Sequence, residues 1–197
     1  MYLCVKPSAP TREIVITEEQ ARLIKEMTAY HGSKADFDQF SLAYIGTGTG
    51  AQEFGYGIYL TLDPEVAYGY GGVVYTVEIP DPNQATYLYY NDPIPQSVYN
   101  DIIQAIVDWR KMVYSDEYED EQSIEELIQE LHDVMPPTEG RYLMYNLHRY
   151  VDEKSYAARM LSDCGVTGYF YNNGKADNVV IFNTKAIKII NKEINNS

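Results

Sequence analysis

Between about residues 95 and 163 the chain runs at a helical period, and strand-like text stands on both sides of that block. Before it come GIYLT, VVYTVEI and TYLYY; after it come VTGYFYNNGKADNVVIF, two apolar runs around an Asn-Asn-Gly turn, and then TKAIKII. Strands satisfy their backbone groups by pairing with other strands, so strands at both ends with helices inserted between them suggest one shared sheet. That predicts an α+β domain whose sheet is assembled from distant parts of the chain. At 197 residues with 45% hydrophobic content, a single core is within reach, and we expect one folded domain.

Local signals place the elements. EIVIT reads as a strand, and TEEQ has the form of a capping box opening a helix through ARLIKEM, residues 21–27, which delivers the chain to TAYHGS. Residues 33–53 read as loop. Asp63 as cap, Pro64 at the first helical position and Glu65 in the first turn start a short helix that Gly69, Gly71 and Gly72 stop. Val73, Tyr75, Val77 and Ile79 alternate as a strand closed by Pro80. In the helical block, Ser123 and Glu126 form a second capping box, the acidic run SDEYEDEQ reads as a solvated loop, and Gly165 ends the last helix.

The net charge of -14 argues against a broad electrostatic grip on nucleic acid or an anionic membrane. Cys4 and Cys164 form no C-x-x-C pair, so neither a disulfide framework nor a zinc site is expected, and two reduced thiols fit a cytosol-like compartment. His132 and His148 lack ligand spacing, and no metal is expected. No apolar run reaches the ~18 residues of a membrane helix, and the N-terminus lacks the pattern of a Sec signal peptide.

Two groups of residues can carry chemistry. His31 in YHGS is followed by Gly32, where a bare backbone admits a ligand; the plain alternative is a satisfied core histidine. Gly55, Gly57, Tyr59, Tyr68 and Tyr70 in FGYGIYLTLDPEVAYGY combine glycines with aromatic faces that can flank a flat, electron-poor ring, or form a tight turn with core aromatics.

Taken in order, YHGS, FGYGIYLTLDPEVAYGY, VVYTVEI and the late NVVIF resemble the ADP-ribosyltransferase superfamily of the diphtheria-toxin and poly(ADP-ribose) polymerase type. The stretch HGSKADFDQFSLAYIGTGTGAQEFGYGIYLTLDPEVAYGY looks most like the ADP-ribosyltransferase domains of phage and mobile-element polyvalent proteins. The resemblance spans about residues 28 to 192, leaving 1–27 as an N-terminal extension packed on the domain, an insert at about 95–163, and 193–197 as a tail. It implies split antiparallel β-sheets around an NAD cleft. It assigns His31 to the adenosine-side ribose, the Gly32 backbone to the nicotinamide amide, and Tyr59 and Tyr70 to the two faces of the nicotinamide ring. Ser33, Gly57 and Ala67 complete the implied cofactor-binding set, Ala67 standing where polymerase members have serine.

His31, Tyr59 and Asn178 are the implied catalytic residues. Asn178 occupies the place of the family's glutamate, where polyvalent relatives often carry asparagine too; Asp177, one residue earlier, belongs to the opposite strand face. The implied activity is a mono-ADP-ribosyltransferase, a glycosyltransferase that uses NAD as substrate and a macromolecular acceptor, protein rather than nucleic acid, in the manner of a toxin or phage-type effector acting in a cytosol. An NAD glycohydrolase and a catalytically weak NAD-binding module stay open beside it. IGTGTG lacks both P-loop and Rossmann context and reads as a mobile loop near the NAD phosphates.

Overall fold

The structure is a computed structural model that describes residues 26–45, 54–82, 85–115, 121–151 and 153–194. The expected strand EIVIT, the opening of the TEEQ helix and the glycines of IGTGTG lie outside the described residues. Glu26 and Met27, expected to end that helix, instead begin the first strand, β1 (Glu26–Ser33), where they pair with Pro80 and Ile79.

After β1 come β2 (Ile58–Thr61), the short helix α1 (Pro64–Tyr68), β3 (Val73–Pro80) and β4 (Thr86–Tyr89). Four helices follow: α2 (Gln96–Val113), α3 (Glu121–Val134), α4 (Gly140–Tyr150) and α5 (Lys154–Asp163). The chain then returns as β5 (Val166–Asn172), β6 (Asp177–Ile181) and β7 (Lys188–Ile194). The α+β class and the helical insertion are as expected. Asp63 caps α1 through its side chain, which accepts from the Glu65 N–H. The Asn-Asn-Gly turn closes the β5–β6 hairpin, with Gly174 at φ 82°. The second capping box is corrected: α3 starts at Glu121, so Ser123 lies within the helix.

The strands form one sheet in the order β4-β5-β6-β2-β1-β3-β7. Expected antiparallel throughout, it is mixed, because β4 and β5 run parallel on either side of the helical crossover. All eight residues of β1 pair with β3, whereas β1 and β2 share one pairing, Tyr30 with Thr61. The sheet is therefore close to split between β2 and β1. We call this line the seam.

Two cores pack on opposite faces. Helices α2–α5 bury Tyr99, Ile102, Ile106, Leu131, Leu143 and Leu161 against Val166, Tyr169 and Val180 on one face. On the other, Ile58, Leu60, Val179 and Ile181 join Ala29, Tyr75, Val77 and Ile79 beneath Phe40. The strict alternation of β2 and β6 sends neighbouring residues to different cores.

Candidate functional site

The seam is where the expected site residues meet. β1 and β2 diverge beyond the Tyr30–Thr61 pair, and a side chain takes over from the missing backbone ladder: His31 Nδ1 lies 2.8 Å from the Tyr59 carbonyl oxygen. A carbonyl only accepts, so Nδ1 carries the proton. Burial pulls the His31 pKa below the ordinary 6.5, opposed by the Tyr59 carbonyl. The ring is thus neutral at pH 7, and Nε2 presents a lone pair. No partner for Nε2 is found among the described residues, which leaves it able to accept a hydroxyl hydrogen bond.

An aromatic cage holds that ring. Phe40 meets His31 edge-on at 5.2 Å, and Phe37 and Tyr75 each lie 6.2 Å away. Phe37 stacks on Tyr75 at 4.3 Å, and the Tyr75 hydroxyl accepts from the Phe37 N–H at 2.7 Å and donates to the Ala35 carbonyl at 3.2 Å. Lys192 on β7 holds Asp36 of the same loop at 2.6 Å and lowers its pKa. The two phenylalanines of the DFDQF stretch, Phe37 and Phe40, thus orient the histidine.

The other face of the seam carries a second set. Cross-strand partners share a face, so Thr61, Asn178 and Tyr171 form one row, and Tyr59, Val180 and Tyr169 the next. Continuing the β1–β2 register past its single bridge sets Gly32 across from Tyr59 on this same face. His31 and Tyr59 thus approach the seam from opposite sides of the sheet.

Gly32 has a packing reason for being glycine. A Cβ there would fall 1.9 Å from the Ala67 carbonyl oxygen and 3.0 Å from Tyr70 Cβ. The space a side chain at Gly32 would need is filled by α1, and the turn after it brings Tyr70 to the seam. Ala67 is wholly buried, and Tyr70 is 50% exposed, an open face beside Gly32. Gly57 is similarly crowded by β6: a Cβ would lie 2.6 Å from the Ile181 carbonyl oxygen. Ser33 Oγ accepts from the Ala35 N–H, ending β1 in a turn.

The Tyr59 hydroxyl donates to the Gly55 carbonyl at 2.9 Å and accepts from the Phe54 N–H at 3.1 Å, so the phenol fixes the loop that leads into its own strand. Tyr68 points away, donating to Glu193 on β7 at 2.7 Å. The buried Asn178 donates through Nδ2 to the Ala176 carbonyl at 2.7 Å. What Asn178 can still offer a ligand is its carbonyl oxygen, an acceptor, and its second Nδ2 hydrogen. Asp177 takes the Asn172 amide at 2.8 Å beside the turn and is exposed, apart from Asn178.

A strip of rings that sequence reasoning missed continues from Tyr59. Tyr171 is edge-on to Tyr59 at 6.4 Å, Phe54 stacks on Tyr171 at 3.8 Å, and Tyr90 follows at 6.2 Å. Only the period-2 alternation of YFY in β5 signalled that Tyr169 and Tyr171 share a face. Among the described residues no cluster of three or more His, Cys, Asp or Glu could hold a metal ion, and no helix is long and apolar enough to cross a membrane. His132 Nδ1 instead sits 3.1 Å from the Tyr99 hydroxyl.

No family model and no curated protein sequence matches the chain. Among solved structures, it is similar to the crystal structure of an anti-CRISPR protein, at 11% sequence identity and a TM-score of 0.39, over 85% of this chain and 96% of that one. That likeness is too distant to bear on activity.

Proposed function

We propose that the protein is a mono-ADP-ribosyltransferase that cleaves NAD at the seam and transfers ADP-ribose to a macromolecular acceptor, a protein rather than a nucleic acid, in a cytosol, as a toxin or phage-type effector does. The observation that carries this reading is the seam: a neutral histidine whose Nε2 has no partner among the described residues lies on one side of a sheet split, and Gly32, Tyr59 and Tyr70 lie on the other. Nicotinamide enters flat between the Tyr59 and Tyr70 rings, its amide against the Gly32 backbone, while His31 Nε2 accepts from the adenosine-side ribose. The bond pair between ribose and ring nitrogen leaves with the nicotinamide, which loses its positive charge as the ribose becomes oxocarbenium-like. The acceptor's lone pair then bonds to the ribose carbon, and the acceptor releases a proton. Orientation contributes most here, because asparagine at 178 supplies no charge and takes no proton. Its carbonyl oxygen accepts from a ribose hydroxyl and fixes the sugar for attack.

Asn178 also favours a second reading. Without a carboxylate to activate an acceptor, water can capture the ribose, giving an NAD glycohydrolase, or cleavage fails and only NAD binding remains. Incubation with labelled NAD and a cell lysate separates the three: label on an acceptor supports transfer, nicotinamide release without label supports hydrolysis, and retained binding with neither supports the module. Loss of all activity in His31→Ala and Tyr59→Ala ties the result to the seam; unchanged turnover in both overturns the assignment.

A further inference from the structure

Away from the seam, α4, α5 and the loop at Gly55 enclose an apolar opening of about 60 Å³. Met144, Leu147, Ala158, Leu161 and Phe182 line its interior, and His148 and Lys154 stand among its lining residues as the nitrogen-bearing side chains. Neither Lys154 nor Arg149, next to His148, makes an ion pair with any described residue. The one carboxylate beside Lys154 in the described chain, Glu153, takes the Ser155 hydroxyl instead. Burial first, then the charges of Lys154 and Arg149, hold His148 below its ordinary value, which keeps the imidazole neutral beside Lys154 at pH 7. Lys154 is the one formally charged side chain among the described residues lining the hollow, and it stands there without a carboxylate partner among the described residues.

We propose that this pocket binds a small amphiphilic carboxylate, its hydrocarbon end among Met144, Leu161 and Phe182 and its carboxylate at Lys154. The size sets the length: the volume holds on the order of five water-sized spheres, which suits a chain of about four to six carbons and excludes a lipid tail. Apolar burial and a charge-assisted hydrogen bond then act on the two ends of one molecule. The occupant also has a route to the seam. A Cβ at Gly55 would lie 2.8 Å from Met144 Cε, so the loop backbone rests on the pocket wall, and the Gly55 carbonyl accepts from the Tyr59 hydroxyl. Binding at the pocket stands independently of NAD cleavage.

The test is a titration of the intact protein with hexanoate, hexan-1-ol and hexylamine, followed by the methyl resonances of Met144 and Leu161. Saturable shifts with hexanoate, absent with hexylamine and weaker with hexan-1-ol, are expected. Lys154→Glu, a change on the exposed surface, should weaken hexanoate at least ~10-fold, and Ala158→Leu should block it by filling the hollow. No saturable shift with hexanoate, equal binding of the amine or the alcohol, or unchanged hexanoate affinity in folded Lys154→Glu protein overturns the proposal.

Discussion

Replacing Gly32 by alanine probes packing and site together. The new Cβ would sit 1.9 Å from the Ala67 carbonyl oxygen and 2.9 Å from its carbon, so α1 must retreat until the first distance reaches at least 3.0 Å. The obstacle is backbone, not the end of a flexible side chain, so a rotamer change on α1 cannot relieve it. α1 has five residues and one buried side chain, Ala67, and can lift without tearing the core. That puts the cost in the ordinary overpacking range of about 1–3 kcal/mol. At roughly 2–4 °C per kcal/mol for a chain of this size, the melting temperature should fall by about 2–12 °C. Because Tyr70 lies just past the Gly69 cap of α1, the same retreat widens the gap between Tyr70 and Tyr59. Calorimetric melting and NAD titration of Gly32→Ala should show both losses. A wild-type melting temperature refutes the packing argument; a lowered one with unchanged NAD affinity refutes the role given to Tyr70.

Tyr59→Phe keeps the ring and removes both hydroxyl bonds to the 54–55 loop; a loss of about 1–3 kcal/mol in denaturant unfolding is expected, and an unchanged midpoint would mean that the loop does not depend on the phenol. Asn178→Ala should cost at least ~10-fold in NAD turnover, about 1.4 kcal/mol, if its carbonyl oxygen holds the ribose, and equal turnover would remove it from the site. Stability should fall as pH drops below about 6.5, because the unfolded chain protonates His31 and His148 first while the fold holds both lower. The loss grows until pH passes the folded pKa values, and His31→Gln should flatten part of that slope in melts at stepped pH.

The parts legible in the sequence are those fixed by neighbours in the chain. Asp63, Pro64 and Glu65 mark α1 because a cap, a fixed φ and a dipole act within four residues. Asn173 and Gly174 mark the hairpin for the same reason. The period-2 runs of β3 and β6 identify strands but say nothing of their partners. The seam, the parallel β4–β5 pair and the strand order depend on contacts across more than twenty residues, which no local pattern records. Ser123 misled because its capping-box spacing also fits inside a helix that starts earlier, at Glu121. At the candidate site, the motifs pointed to Tyr59, Tyr70 and His31, which the fold brings to the seam, but the reason for Gly32 lies in a helix 35 residues on, at Ala67. The cage of Phe37, Phe40 and Tyr75 joins a loop to a distant strand and was invisible for that reason.

In the proposed complex nicotinamide lies between Tyr59 and Tyr70 at the seam. Intermolecular NOEs in the NAD-saturated protein test it directly and without requiring turnover. Cross-peaks from the nicotinamide ring protons to the aromatic protons of both tyrosines are expected. Saturation with NAD and cross-peaks to neither ring, or no saturation at all, would contradict it.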